Sequence, residues 1–281
     1  MINTPKHLAY ILKVDLKEIE SILKDVDKYY REKIIVKTDK FGKPKLDKKG
    51  NPKQRIINPS INRLKVIQKR IQKNILLKLH MPDYAYGAVK GRDNVSNAKK
   101  HQGKKYKFTT DLKDFFPSIT NKEVYEMFVG EEFSHEVSSL LTKLTTYKGK
   151  IPQGAPTSST LANLVFRKTG DILDVFSKEN GLTFTSFVDD MTFSSPKDFK
   201  ELVPNILDII TADFKISHKK TNYSRNPNIT GLHPMNNHLK LPDSFMEKYR
   251  KRDEKTPEQK AGILRYKEKI EIVNYGKKAS G

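Results

Sequence analysis

The segment 183–195, TFTSFVDDMTFSS, constrains the fold more than any other part of this sequence. Apolar residues alternate with Thr and Ser on both sides of Asp189 and Asp190, which predicts two short β-strands joined by a tight turn. Adjacent carboxylates at a hairpin tip repel each other unless a cation lies between them, and such oxygen ligands suit magnesium better than zinc. A solvated turn is the alternative, since Asp is a common turn residue. This segment alone does not distinguish a metal site from a solvated turn, so the rest of the chain has to be considered.

A third acid lies at the end of another predicted strand. The segment 108–119, FTTDLKDFFPSI, begins with β-forming residues and places Asp111 where the strand ends. A carboxylate at a strand terminus often helps to hold a divalent ion beside a phosphate, although capping of the next turn is the alternative. Three acids from two strand ends favour two-ion phosphoryl transfer, with ions bridging Asp111 and Asp189.

The net charge indicates the kind of partner that the chain binds. Its 281 residues include 54 Lys plus Arg against 33 Asp plus Glu, a formal charge of +21, which favours nucleic acid. An anionic membrane surface is the alternative, but no run approaches the roughly 18 apolar residues of a spanning helix. The first residues also lack the plan of a signal peptide. We therefore expect a soluble, cytoplasmic protein without a membrane partner.

The lack of cysteine excludes several kinds of reactive or metal-binding site. Without Cys the chain has neither disulfides nor thiolate ligands nor thiol nucleophiles. Its seven His residues show no HExxH or HxxxH spacing. Hydrolytic zinc chemistry is therefore not expected.

Two further segments suit contacts with a nucleotide. The strand-like runs IIVK and QRIIN flank a connection rich in Gly, Pro and Lys, which predicts a hairpin on which Arg55 could grip a phosphate bidentately. The segment 151–163, IPQGAPTSSTLAN, predicts a loop entering a helix, where free backbone amides favour phosphate or base contact; a rigid, well-capped loop is the alternative. The hairpin connection is either a solvated turn or a phosphate-binding loop. Its lysines are Lys40, Lys43, Lys45, Lys48, Lys49 and Lys53.

The glycine-punctuated segment 86–92, YGAVKGR, has two interpretations. Gly87 and Gly91 would let the backbone approach a ligand or template closely, or they would form an ordinary turn. Both interpretations are equally compatible with the sequence.

Capping signals and apolar periodicity predict helices in most of the remaining chain. The part from Pro242 is predicted to be a charged helical module, and 277–281 to be disordered. The segment 216–223, ISHKKTNY, is predicted to be a strand. The predicted helices are two N-terminal ones capped by Thr4 and Asp15, one from Ser60 that ends before Pro82, a short one at 94–101, two from Asn121 and Ser134, one through 161–176, one at 200–213, and one that begins with the capping box of Thr256 and Gln259.

Taken in order, these motifs resemble those of reverse transcriptases, and specifically of bacterial retron reverse transcriptases. The resemblance runs from about Lys53 to Pro242, and its strength lies in seven motifs in one order. In chain order they are QRIINPS with INRLKVIQ and YGAVKGR of the fingers, TTDLKDFFPSI as palm motif A, IPQGAPTSSTLAN as motif B, FVDD as motif C, HKKT as motif D, and LKLP before the thumb.

Two short elements carry the resemblance to retron enzymes in particular. Residues 97–101, NAKKH, match the NAxxH element of that family, and residues 229–231, ITG, resemble its VTG element with Ile in place of Val. One departure is Phe187-Val188, where the family usually has Tyr-Ala. Loss of the tyrosine hydroxyl is expected to alter contacts with the primer end without removing metal ligands.

The resemblance implies an α+β, right-hand polymerase fold with fingers, a palm made of an antiparallel sheet with helices, and a small helical thumb. The implied domains are N-terminal helices and fingers at 1–107, a palm at 108–231 with a fingers portion around 121–150, and a thumb at 232–281. The implied enzyme is an RNA-directed DNA polymerase, a nucleotidyltransferase.

The resemblance also assigns roles to individual residues. Asp111, Asp189 and Asp190 are implied to be catalytic and to bind two Mg²⁺ ions, for which Mn²⁺ could substitute. The implied nucleotide-binding residues are Lys53 and Arg55 near the triphosphate, Phe116 under the sugar, Gln153 and Gly154 beside the nucleotide, and Lys220 of motif D, with Lys219 as the alternative. The implied RNA-binding residues are Asn97, His101, Thr230 and Gly231.

The implied function is synthesis of a branched, RNA-linked single-stranded DNA (msDNA), primed from a ribose 2′-hydroxyl of a cognate structured non-coding RNA. The implied partners are that RNA and its msDNA product, dNTPs, and an effector protein of the same antiphage defence system. One alternative is another bacterial reverse transcriptase, of the abortive-infection type or of the group II intron type; the lack of a maturase or endonuclease extension argues against the latter. A catalytically idle RNA-binding scaffold is the other.

Overall fold

The computed structural model describes residues 2–39, 42–47 and 49–276. Lys40 and Lys48 of the predicted basic connection lie outside them, as does the segment 277–281, for which the sequence predicts disorder. The described chain forms two compact units. The first consists of described residues in Met1–Pro82, Ala88–Lys90 and Lys113–Asp171, and the second of those in Asp83–Gly87, Gly91–Leu112 and Ile172–Gly281.

Groups of helices are interspersed with antiparallel strands along the chain, which agrees with the predicted α+β class. The helices are α1 (Pro5–Leu12), α2 (Leu16–Lys24), α3 (Asn62–Asn74), α4 (Asn94–Lys100), α5 (Phe115–Ser118), α6 (Asn121–Gly130), α7 (His135–Thr145), α8 (Ser158–Glu179), α9 (Val203–Thr211), α10 (Asp243–Arg250) and α11 (Pro257–Tyr275). The strands are β1 (Lys33–Val36), β2 (Gln54–Ile57), β3 (Tyr106–Asp111), β4 (Thr183–Phe187), β5 (Asp190–Ser195), β6 (Asn222–Ser224), β7 (His233–Pro234) and β8 (Leu239–Lys240).

Side-chain caps begin several helices of the first unit. Thr4 and Asp15 accept hydrogen bonds from backbone amides at the starts of α1 and α2, so both predicted caps are confirmed. The predicted cap of α6, Asn121, is wrong. Thr120 is the cap, and it forms a reciprocal capping box with Glu123, a pairing already visible in the T-x-x-E spacing.

The long helix α3 buries one apolar face, as its spacing predicts, but it ends sooner than expected. The side-chain amide of Asn74 donates to the Ile11 carbonyl at 3.0 Å, and the chain continues as a 3-10 turn at Leu76–Lys78. This contact ties the end of α3 to α1, so the helix does not reach Pro82.

The predicted basic hairpin is confirmed in the first unit. Strands β1 and β2 pair antiparallel with Ile35 opposite Arg55, and isolated bridges between Thr38 and Pro44 and between Leu46 and Pro52 extend the pairing into the connection. Lys53 and Arg55 are both exposed on this hairpin.

A four-stranded antiparallel sheet forms the second unit's core, with strand order β4-β5-β3-β6. The predicted hairpin around the two acids is confirmed as β4 and β5, and Asp190 lies opposite Phe187. Phe193 of β5 packs between Phe108 and Phe184, with ring centroids 6.0 and 4.7 Å away. The alternating phenylalanines therefore form the apolar face of the sheet.

The strand predicted at 216–223 is wrong for most of its length. Ile216 makes only an isolated bridge to Leu112, residues His218–Lys220 form a 3-10 turn, and strand β6 begins at Asn222. The Ser217 amide donates to the Asp111 carbonyl at 2.7 Å, which fixes the start of this turn at the end of β3. A 3-10 turn joined to the end of β3 by a long-range backbone hydrogen bond thus replaces the expected strand.

The helices after Pro242 belong to the second unit and share a small apolar cluster with α4. The cluster consists of Val95, Ala98, Ile229, Leu232, Leu239 and Ile270. The predicted capping box of α11 is confirmed between Thr256 and Gln259. No described helix is long and apolar enough to cross a membrane. The domain boundaries at 107 and 231 stay predictions.

We predict that His101 makes the second unit sensitive to acid. The ring is fully buried, with its nitrogens 2.7 Å from the hydroxyls of Ser194 and Thr185. Burial, followed by the charges of Lys107 and Lys104, lowers the pKa of His101 to about 3. In the unfolded chain His101 binds a proton near pH 6.5. The neutral, buried ring therefore makes its full contribution to the free energy of unfolding above that pH, and this contribution is lost as the pH falls towards 3.

Between pH 7 and pH 5 the wild type should therefore lose about 2 kcal/mol of unfolding free energy more than His101→Gln does. Urea denaturation of both proteins at the two pH values, without RNA, measures this difference. Equal losses in the two proteins would show that His101 is not the titrating group.

Candidate active site

The sheet of the second unit brings the three predicted acids together. Asp111 is the last residue of β3 and lies directly opposite Asp190, the first residue of β5, while Asp189 lies in the turn between β4 and β5. The Leu112 amide donates to the Asp189 carbonyl at 3.0 Å, which holds that turn against the end of β3. One carboxylate oxygen from each acid lies within 4.8 Å of the others.

The acids and a neighbouring lysine set the electrostatics of this cluster. Partial desolvation of the Asp190 carboxyl, followed by the charges of Asp189 and Asp111, raises its pKa well above the ordinary value, although Asp190 retains access to solvent. The Lys220 ammonium forms an ion pair with Asp111. Desolvation lowers the pKa of Lys220, but the hydrogen bond to Asp111 and the nearby acids outweigh it, so the net shift is upward. Of the two motif D lysines left open by the sequence, Lys220 is thus the one in contact with Asp111.

The donor set fits a hard divalent cation. All three side chains offer carboxylate oxygens, the ligands that magnesium-like ions prefer. Asp111, Asp189 and Asp190 carry up to three negative charges, and Lys220 forms an ion pair with Asp111. These residues could therefore hold a divalent metal, and their mutual repulsion would favour its binding.

The turn that carries Asp189 has an unusual backbone. Val188 adopts φ +60°, a left-handed conformation that is unfavourable for a β-branched residue. A short segment runs beside it: the Tyr86 amide donates to the Ser186 carbonyl at 2.7 Å, and the Ser186 amide donates to the Tyr84 carbonyl at 2.8 Å. Residues 87–88 and 90–91 also form turns, and Gly91 adopts φ +78° with open space around it, so the ordinary-turn interpretation of YGAVKGR holds at Gly91.

Gly87 is where this segment approaches the turn most closely. A Cβ atom added to Gly87 would lie 2.6 Å from Val188 Cγ2 and 2.7 Å from the Val188 amide nitrogen, distances that real Cβ contacts essentially never show. The close backbone approach predicted from the glycine is present, but its partner is the chain's own acid-bearing turn. Gly87 was therefore a correct signal of close approach, but its partner could not be identified from the sequence.

The predicted nucleotide-binding residues other than Lys220 lie in the first unit. The Asn58 amide, just after β2, donates to the Gln153 carbonyl at 2.8 Å, so the hairpin that carries Arg55 is joined to the motif B loop. Gly154 adopts φ +95°, which favours glycine, and lies near Ile57. Their roles in nucleotide binding stay predictions.

The two phenylalanines of motif A differ in exposure. Phe115 is buried and packs edge-on against Phe166, with ring centroids 6.2 Å apart. Phe116 is half-buried. The partly exposed Phe116 is therefore the one of the pair with a surface available to a ligand.

Two of the predicted RNA-binding residues are buried. Asn97 is 1% exposed and donates to the Thr230 hydroxyl at 3.2 Å, and His101 is 0% exposed. The side-chain amide of Asn94 donates to the Thr230 carbonyl at 3.0 Å. Burial favours a supporting role for Asn97 and His101, whereas Thr230 is half-buried and Gly231 is exposed. The assignment of these four residues to RNA binding stays a prediction.

Comparison with known proteins places this geometry in a family. The model of the family described as reverse transcriptase (RNA-dependent DNA polymerase) matches residues 43–254, and the chain belongs to that family. Its curated relatives include retron reverse transcriptases, which confirms the predicted resemblance.

Three of these relatives show the extent of the similarity. The retron Se72 reverse transcriptase of Salmonella heidelberg (strain 579083-10) is 38% identical over 192 residues, covering 68% of this chain and 48% of the relative. The retron Ec86 enzyme of Escherichia coli is 36% identical, covering 53% and 47%. The retron Ec73 enzyme of Escherichia coli is 33% identical, covering 62% and 60%. The chain spans about half the length of the first two.

We predict that Gly87→Ala lowers DNA synthesis by displacing the acid-bearing turn. The added methyl group would meet backbone atoms of Val188, which cannot yield as a flexible side chain does. Loss of register between Asp189 and Asp111 should reduce kcat by about 10-fold or more, since small misplacements of reacting groups are costly. Primer extension on a fixed template measures the change.

Gly262→Ala is the matched control, because a Cβ there meets nothing within 4 Å and the residue lies in α11. That variant should retain wild-type activity. A folded Gly87→Ala protein with wild-type kcat and metal dependence would contradict the positioning role.

Proposed function

We propose that this chain is the reverse transcriptase of a retron and copies its own structured non-coding RNA into msDNA. The observation that carries the proposal is the convergence of Asp111, Asp189 and Asp190 at one edge of the sheet, in a chain of the reverse transcriptase family. The cognate RNA supplies both template and the 2′-hydroxyl primer. The branched product acts in antiphage defence together with an effector protein.

The three carboxylates are the proposed ligands of two Mg²⁺ ions, which Mn²⁺ could replace. Bound ions of this kind supply positive charge for activating a hydroxyl and for stabilising the leaving pyrophosphate. Lys220 remains protonated beside Asp111, so its half-exposed ammonium offers a hydrogen-bond donor to a phosphate. Lys53 and Arg55 present further exposed cations for the triphosphate.

The fold supports the proposed fingers, palm and thumb in outline. The four-stranded antiparallel sheet is the candidate palm, the β1–β2 hairpin the candidate fingers element, and the helices α10 and α11 the candidate thumb. The exact limits, 1–107, 108–231 and 232–281, are part of the proposal.

The decisive experiment is DNA synthesis on the RNA that co-purifies with the chain. With Mg²⁺ and dNTPs, we expect DNA joined to that RNA through a 2′–5′ linkage, which a debranching enzyme releases. A product of normal 3′–5′ linkage would indicate another class of reverse transcriptase. No product from a folded, RNA-bound protein would favour the idle scaffold.

We predict that Asp111→Asn and Asp189→Asn each reduce DNA synthesis to below about 1% of the wild type, since removal of one electrostatic contributor commonly costs 10²–10³ in rate. Both changes remove a charge from the acid cluster and leave the basic surface that dominates RNA affinity. Primer extension and filter binding of the co-purified RNA report the two properties separately.

Asp208→Asn provides the control, because it makes the same chemical change at an exposed position of α9. It should retain both activity and RNA binding. Near wild-type extension by either active-site variant would refute the assignment of the acids.

We predict that Phe116→Ala relaxes the preference for deoxynucleotides. A ring beneath the sugar would deny a 2′-hydroxyl both space and a hydrogen-bond partner, a penalty of about 1–3 kcal/mol or roughly 5- to 150-fold. The ratio of kcat/KM for dNTP and rNTP measures the effect independently of general losses. Phe115→Ala should instead cost about 3–5 kcal/mol of stability with an unchanged ratio, because Phe115 is core. An unchanged ratio in folded Phe116→Ala would place the selection elsewhere.

A further inference from the structure

The second unit contains a basic cavity that the proposed catalytic site does not use. Its volume is about 400 Å³. It lies at the opposite end of β3 from Asp111, where the chain before β3 meets the end of β6 and the connection between β7 and β8. The Gly103 amide donates to the Met235 carbonyl at 3.0 Å, which joins two of these segments.

The lining of this cavity is strongly cationic. Lys104, Lys105, Lys107 and Arg225 contribute positive charge, and no carboxylate is among the described residues that line it. Lys107 is 2% exposed, and its ammonium donates to the carbonyls of Lys104 and Arg225. It therefore joins the two chain segments that form this part of the cavity. The more exposed Lys105 and Arg225 are available to a ligand.

An aromatic ring holds these two available cations in place. The Lys105 ammonium lies 5.3 Å and the Arg225 guanidinium 5.6 Å from the centroid of the Tyr106 ring. Cation–π contacts of this kind restrain a cation without neutralising it. Both groups therefore keep their full charge for an anion.

Other residues that line the cavity offer hydrogen-bonding groups instead of charge. Asn226, Asn236 and Asn237 line it together with His238, whose ring nitrogen lies 3.0 Å from the Asn237 side-chain oxygen. Amide and imidazole groups can read the edges of a nucleobase, and the volume falls within the range of about 300–1,000 Å³ that holds small ligands. The cavity thus combines phosphate-binding and base-binding chemistry.

We propose that this cavity binds one unpaired nucleotide of the partner RNA, with its phosphate on Lys105 and Arg225 and its base towards the asparagines. The inference rests on the proposed function, because it assigns part of the RNA-binding surface of the same enzyme. Unpaired RNA is favoured over a regular duplex because only a base that has left its stack can enter a concave site.

The test compares two pairs of substitutions that remove the same charge. Lys105→Gln with Arg225→Gln alters the cavity, whereas Lys197→Gln with Lys215→Gln alters exposed residues of the same unit that do not line it. We expect the first pair to weaken binding of the co-purified RNA by about 10-fold or more and to lower the log–log salt slope by roughly one to two, the value for two phosphate contacts on a single strand. The second pair should change affinity by less than about 3-fold.

Chemical footprinting of the bound RNA gives a second measurement. An unpaired nucleotide protected by the wild type and by the control pair should become reactive with the cavity pair. Equal weakening by both pairs, or an unchanged footprint, would show diffuse charge attraction and overturn the proposal. Tight AMP binding to the wild type together with unchanged RNA affinity of the cavity pair would assign the cavity to a free nucleotide and also overturn it.

A catalytic control separates this inference from the proposed function. The control pair, Lys197→Gln with Lys215→Gln, should extend a DNA primer on an unrelated RNA template at the wild-type rate, because neither residue belongs to the acid cluster or lines the cavity. If the wild type itself makes no DNA, the proposed function fails. If it makes DNA and the cavity pair binds the cognate RNA normally, only the inference about the cavity fails.

Discussion

The mutual repulsion of three carboxylates is the constraint around which the second unit is built. At separations of at most 4.8 Å, each pair of fully ionised acids would cost about 3.5 kcal/mol or more in an effective dielectric of 20, before solvent screening of the exposed Asp190. Three such pairs approach the entire net stability of a domain, which is about 5–15 kcal/mol. The sheet nevertheless fixes Asp111 opposite Asp190 through its hydrogen-bond register. The cluster is therefore tolerable only when protons, Lys220 or bound cations offset its charge, and a preference for cations follows from the fold itself.

A second requirement is steric and concerns the backbone that holds Asp189. The turn places Val188 in a left-handed conformation, which has to be maintained by its surroundings. The segment that ends at Gly87 lies against this turn with no space for a Cβ atom, and it is hydrogen-bonded to β4 through Ser186. The geometry of the acids thus depends on a glycine about a hundred positions earlier in the chain, which itself carries no chemical group.

The difference between what sequence reasoning predicted and what it missed follows from the range of the interactions. The β4–β5 hairpin and the caps Thr4, Asp15 and Thr256 depend on neighbouring residues, so spacing alone identified them. The 3-10 turn at His218–Lys220 depends on hydrogen bonding between Ser217 and the end of β3, more than a hundred residues away. A β-rich local pattern gave no sign of that contact.

The buried polar residues show the same limitation in the functional site. The NAxxH pattern indicated RNA contact, but Asn97 and His101 bind Thr230, Ser194 and Thr185 inside the second unit. His101 provides hydrogen-bond partners for the buried hydroxyls of Ser194 and Thr185, and Asn97 donates to the hydroxyl of the half-buried Thr230. Residue type therefore identified a polar network, while its location in the interior required the fold.

The strand β3 connects two regions of opposite charge. Asp111 lies at one end, and Lys107 with the basic cavity lies at the other, four residues or roughly 13 Å away along the strand. A nucleic acid strand would be attracted by the cavity and repelled by the acids until cations bind them. The overall charge of +21 therefore conceals two regions of opposite sign at the two ends of one strand. If RNA binds at the cavity end and phosphoryl transfer occurs at the acid end, as proposed above, binding would need no metal ion, whereas approach of a phosphate to the acids would require one.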